Sequence, residues 1–174
     1  MSEFEDADSA AIEEDLQEIR GALFNDTIAT LTPAAPVCLR ESVTVHEAIE
    51  RMLAERQAGV LVVDGEGRLS GIFTERDVLT RVAGQGRDPR STRLGDVMTR
   101  NPEALTARDR IAYAIHSMSV AGYRTIPLVD ADGRPLGVIT GTDVIRWLAS
   151  LFPEAVLNLP PGDTLKRPGE IDAG

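Results

Sequence analysis

Apolar residues recur along this chain with two alternating periods. At Ala48, Ile49, Met52 and Leu53 they keep the three- and four-residue spacing of one helix face, and the spacing returns at Ile111, Ala112, Ile115 and Met118. Each stripe leads into a short continuous apolar run, Val60–Val63 and Ile126–Val129, of a length that suits a buried strand. Asp64-Gly65-Glu66-Gly67 and Asp130-Ala131-Asp132-Gly133 then predict tight turns into antiparallel partners over Leu69–Phe73 and Leu136–Ile139. A closing helix is predicted from near Thr74 and again from near Thr140. Short strand-like pieces, Val37-Cys38-Leu39 and Glu103-Ala104-Leu105, precede the first helices. Thr44 with Glu47 and Thr106 with Asp109 read as capping-box starts, a hydroxyl followed three residues later by an acid. The grammar is strand–helix–strand–strand–helix, twice, which predicts an α/β fold.

The two copies match at one fixed offset. Gly71-Ile72-Phe73-Thr74-Glu75-Arg76-Asp77-Val78 returns 66 positions later as Gly137-Val138-Ile139-Thr140-Gly141-Thr142-Asp143-Val144. The same offset carries Ala48-Ile49 onto Ala114-Ile115, Met52 onto Met118, and Gly67-Arg68 onto Gly133-Arg134. The body is a duplication. A domain of about 60 residues buries a poor core alone, so the copies are expected to pack sheet to sheet with pseudo-twofold symmetry. The expected layout is an acidic extension with an amphipathic helix over 1–27, a first repeat over 28–83 and a linker over 84–95. A second repeat over 96–150 and an irregular tail over 151–174 complete it.

Charge changes the picture at the N-terminus. Of the net charge of −10, most lies in residues 1–20, where Glu3, Glu5, Asp6, Asp8, Glu13, Glu14, Asp15 and Glu18 face Arg20 alone. An acidic tail on a near-neutral body argues against nucleic acid as a partner. Within that tail Ile12, Leu16, Ile19 and Leu23 share one helical face, which predicts a helix over 10–24 docked on the body or across a dimer interface, with 1–8 disordered. No apolar run approaches the roughly 18 residues of a membrane span, and the first residues have no basic start, so the expectation is a cytoplasmic protein with no membrane partner. Cys38, the lone cysteine, is expected as a small buried apolar residue. His46 and His116 fall on separate helices, which leaves no metal site. No nucleophile–base pair or phosphate-binding loop is present, so no catalytic residue is assigned and an enzyme is not expected.

The doubled Gly-x-x-Thr-x-x-Asp, the two Asp-x-x-Gly hairpins and Asp96-Val97-Met98-Thr99-Arg100-Asn101-Pro102 carry a family resemblance. Over residues 28–150 the chain resembles a tandem pair of cystathionine-β-synthase (CBS) domains, a Bateman module. The resemblance implies two pseudo-symmetric clefts that take AMP, ADP, ATP or another adenosyl ligand as a regulatory ligand. It requires no cofactor, and it implies a homodimer that signals to an effector protein, itself unknown. Carried over residue by residue, one cleft uses Thr140 and Asp143 with Thr32, Val37, Gln57 and Ala58; its mate uses Thr74 and Asp77 with Thr99, Tyr123 and Arg124. The aspartates are expected to accept ribose hydroxyls and the threonines to face phosphate at a helix start. The Asp143 cleft is the preferred one, because Glu103, Glu75 and Arg76 crowd the other. Thr-x-x-Asp is also close to a plain capping box, so a structural scaffold with empty clefts stands as the alternative, and an accessory enzyme subunit as a further one. Gly71 and Gly137 mark either a bulge or a close approach.

Overall fold

The computed structural model describes residues 16–151 except 18. In the first repeat Thr44 caps α2 (Val45–Ala54) by accepting the Glu47 N–H at 3.2 Å. The helix buries Val45, Ala48 and Met52, while Ile49 packs at the margin and Leu53 points to solvent. β2 (Gly59–Val63) lies between β1 (Cys38–Arg40), which is parallel to it, and β3 (Leu69–Thr74), which is antiparallel. A central strand covered on both faces must be apolar throughout, and Val60, Leu61 and Val62 are buried. Cys38 corrects the sequence expectation. β1 is an edge strand with alternating exposure, so Leu39 turns inward and Cys38 faces out.

The second repeat has α5 (Ile111–Val120), β5 (Thr125–Val129), β6 (Pro135–Thr140) and α6 (Gly141–Leu151). Thr106 and Asp109 do bond to each other, but they close a turn ahead of α5. That helix starts after Arg110, which provides no side-chain cap, so the predicted helix start is one turn early. The helix expected after Thr74 is also broken. α3 (Glu75–Asp77) runs into a π turn (Val78–Val82) and a 3-10 turn (Ala83–Gln85). The hairpin turns are the same in both copies. Asp64 Oδ1 accepts the N–H groups of Glu66 and Arg68, and Asp130 Oδ1 those of Asp132 and Arg134; Gly67 and Gly133 take left-handed φ of 82° and 77°.

Each repeat borrows the segment that leads into the other. α4 (Leu94–Val97), at the start of the second copy, inserts Leu94, Val97 and Met98 into the first core beside Val45, Met52 and Phe73. β4 (Thr99–Arg100) then pairs with β3, giving the sheet order β1-β2-β3-β4. In return, Ile28 and Leu31 enter the second core with Ile111, Ile126 and Trp147, and Ala34 bridges Val138. The backbone bonds repeat at the 66-residue offset. Val45 N–H donates to Thr92 O at 2.9 Å as Ile111 N–H does to Asp26 O at 3.1 Å, and Leu94 N–H donates to Val43 O as Ile28 N–H does to Asp109 O. Close approach of these borrowed segments explains the two strand glycines: a Cβ on Gly71 would strike Met98, and one on Gly137 would lie 3.0 Å from the Pro33 Cβ. Leu61, Ile72 and Val138 form the small cluster shared by the repeats. Residues 19–25 are helical (α1), and Ala22 and Leu23 pack on the second core. Leu16 and Gln17 are helical too, but Leu16 of the expected apolar stripe is 52% exposed. Residues 1–15 (the rest of the stretch expected to be helical or disordered), residue 18 and the tail beyond 151 lie outside the described residues.

Candidate functional site

β3 ends at Thr74, where the chain turns into α3, and the opening turn is locked by a capping box. Asp77 Oδ2 accepts both the Thr74 N–H, at 2.9 Å, and the Thr74 hydroxyl, at 2.8 Å. Asp77 is the one buried charged residue among those described, 7% exposed. Burial of a carboxylate demands partners, and the second oxygen has one: Oδ1 lies 3.2 Å from Arg81 Nε.

Above this turn lies a cavity of about 470 Å³, within the usual range for a small-molecule site. Thr74, Asp77, Thr99, Tyr123 and Arg124, the five residues expected of the second cleft, all line it. Its walls come from both repeats: β4 and the loop before β5 face the start of α3. Arg76 Nη2 crosses it to the Gly122 carbonyl at 3.3 Å. The titratable lining is balanced, with Glu75, Asp77 and Glu103 facing Arg76, Arg81 and Arg124. Glu103 therefore shares the cavity with three guanidinium groups that offset its charge.

Of the residues expected in the preferred cleft, Thr140 and Asp143 are paired in the same way. Asp143 Oδ2 accepts the Thr140 N–H at 2.8 Å and its hydroxyl at 2.7 Å, and Oδ1 lies 3.4 Å from Arg146 Nη1. The Ala34–Val138 bridge is antiparallel, a register that carries Thr32 toward Thr140. Val37 belongs to the first core, 7% exposed. Gln57 donates to the Ala35 carbonyl at 2.6 Å and leaves a buried Oε1 without a hydrogen-bond partner. Ala58 lines the Asp77 cavity, next to Glu75, whose N–H it accepts.

Arg81 is the functional candidate that sequence reading missed. Its Nη1 donates to the carbonyls of Val97 and Met98 at 2.9 and 2.7 Å, while Nε holds Asp77. The 66-residue offset that revealed the repeat places Trp147 at the matching position, and Trp147 Nε1 donates to Asp26 Oδ2 at 2.9 Å. Both residues secure a borrowed lead-in segment, but only Arg81 also reaches a cleft aspartate. That charged-versus-aromatic mismatch was visible in the sequence as a break in the repeat.

The CBS domain profile matches residues 30–84 and 94–150. The chain is 36% identical over 104 residues to the CBS domain-containing protein CBSCBSPB2 of Arabidopsis thaliana, a match covering 60% of this chain and 19% of that one. The chain thus spans about a fifth of that relative's length. Among solved structures, CBSX2 in complex with AMP is 23% identical with a TM-score of 0.60, covering 73% of this chain and 98% of that one; CBSX2 is from Arabidopsis thaliana. The cytosolic domain of the Mg2+ channel MgtE in complex with ATP is 26% identical with a TM-score of 0.60, covering 70% of this chain and 48% of that one. With two profile matches in register with the structural duplication, the chain belongs to the CBS domain family as a tandem pair of its repeats.

Proposed function

We propose that this CBS pair is a regulatory module that binds an adenine nucleotide or a related adenosyl ligand between its repeats and reports the ligand's level to a partner protein. The observation that carries the reading is the cavity at Asp77. A buried carboxylate, a threonine hydroxyl at a helix start and the guanidinium of Arg124 converge there from both repeats. A ribose diol has its acceptor in Asp77, an anion has Arg124 and Arg76, and Tyr123 with Pro102 offers flat apolar surface to a base. AMP and ATP in the two related structures support the adenosyl class. Thr140 and Asp143, with Thr32, Val37 and Gln57, remain the second candidate cleft, the one preferred from the sequence; Ala58, expected there, lines the Asp77 cavity instead. No catalytic step is assigned, and the module works in the cytoplasm. We further place a second copy of the chain against the exposed apolar side chains of the first repeat's outer helices.

A purely structural pair with empty clefts is favoured by one observation, the capping boxes, which by themselves account for both Thr–Asp pairs. Thermal melts with AMP, ADP and ATP separate the readings. A ligand at about 100 times its dissociation constant adds about 2.7 kcal/mol of stability. Asp77→Ala removes a charged acceptor and is expected to weaken AMP binding by about 1.5–3 kcal/mol in calorimetry. A melting temperature that ignores all three nucleotides leaves the scaffold.

A further inference from the structure

We infer that Arg81 couples occupancy of the Asp77 cavity to the junction between the repeats, an inference that rests on the adenosyl-ligand reading above. A carboxylate offers about four lone-pair sites. On Asp77 the Thr74 N–H and the Thr74 hydroxyl both bond to Oδ2, while Oδ1 faces Arg81 Nε at 3.2 Å in an ion pair. A vicinal diol must therefore bond through Oδ1, the oxygen that the Arg81 guanidinium faces, so one of the resident partners must give way. The Thr74 N–H is fixed by the backbone, and its hydroxyl closes the cap at 2.8 Å. Arg81 gives way with least loss, because its Nη1 already donates to the Val97 and Met98 carbonyls.

Those carbonyls stand where α4 passes into β4, the stretch by which the second copy's lead-in enters the first core and joins its sheet. Releasing Nε from Asp77 therefore moves a guanidinium that is anchored on the junction. The residue sits in the π turn Val78–Val82, a local irregularity of the kind that accompanies functional sites. Gly84 accommodates that turn, since a Cβ there would lie 2.9 Å from the Leu79 carbonyl oxygen. Among the described residues the Asp143 cleft has no such link. Arg146, its cation, is 75% exposed in its side chain, and the position matching Arg81 is the buried Trp147. The Asp77 cleft transmits, and the Asp143 cleft does not.

Amide exchange followed by NMR on the full chain, with AMP and adenosine as probes, tests the coupling. The amides to watch are Met98, bonded to Leu94 O, and Asn101, bonded to Ser70 O. Saturating AMP is expected to change their exchange by about fivefold or more, the lower end of ordinary coupling between sites. Adenosine, which has the diol without the phosphate, is expected to do the same; a response to AMP alone overturns the diol mechanism. Arg81→Met removes the competitor for Asp77, so AMP is expected to bind no more weakly by calorimetry while the response at Met98 and Asn101 disappears. Arg81→Lys keeps a cation without the fork; it is expected to behave likewise, and it carries the test should Arg81→Met fail to fold. A full response in either folded variant overturns the coupling. So does a loss of AMP affinity beyond about tenfold in the variants, which makes Arg81 a ligand contact instead. A wild-type chain that binds neither probe overturns the adenosyl reading itself, and the coupling falls with it.

Discussion

Gly137 and Gly71 occupy matching positions, yet a methyl group at the two is resisted by different things. At Gly137 it would meet the Pro33 ring at 3.0 Å and the Ala34 carbonyl oxygen at 3.2 Å, on a segment held by the Val138 N–H to Ala34 O bond. Neither group can swing aside. At Gly71 the obstacle is the Met98 thioether, a flexible chain that can choose another rotamer. Gly137→Ala is expected to cost about 1–3 kcal/mol in urea denaturation, and Gly71→Ala less. Equal or reversed costs would show that the borrowed segment is not rigid at Pro33. At this scale the sequence was legible where a motif fixes spacing: Thr74 with Asp77 and Thr140 with Asp143 bond as their three-residue separation requires. Cys38 was misread because its apolar neighbours suggested burial, whereas alternation on an edge strand puts every second residue outside. Its thiol is nevertheless partly shielded, and that desolvation pushes its pKa up.

Helices and hairpins followed from period and turn chemistry, since both are local. The errors came where a non-local contact decided the outcome. α5 starts late because its first turn is organised by the backbone of Asp26, Thr27 and Ile28, and β4 was invisible because its pairing partner lies in the other copy. The first hairpin offers a test at this scale. Asp64 accepts the Arg68 N–H first of all, then the Arg68 side chain and the Glu66 N–H, and these hold its carboxyl below the usual carboxylate range. A depressed folded value means that the turn's contribution is complete above the unfolded pKa and is lost as pH falls through the lower, folded one. Exchange protection of the Glu66 and Arg68 amides should persist to a pH at which ordinary exposed aspartates are protonated, and Asp64→Ala should remove it at every pH. A carboxyl resonance for Asp64 that titrates at the ordinary aspartate value would refute the account.

For the whole molecule, the outer helices leave large apolar side chains in solvent. Leu53 and Leu79, 73% and 68% exposed, flank a groove floored by Met52 and Val78, and Ile145 on α6 is 67% exposed. Patches of this kind mark interaction surfaces. Leu53→Glu combined with Leu79→Glu is expected to halve the sedimenting mass with little change in melting of the single chain; a wild-type chain that sediments as a monomer at tens of micromolar would remove the second copy from the proposal. Exchanged lead-in segments carry a different consequence. Order along the polypeptide and order in space do not coincide, so the linker over 84–95, at least as far as residue 92, is not what keeps the repeats together. A chain severed there would leave two fragments, each owning a piece that the other's core lacks and each incomplete without it. Mutual incompleteness is what a complementing split protein requires, and this fold has it built in, with a small-molecule cavity along the seam.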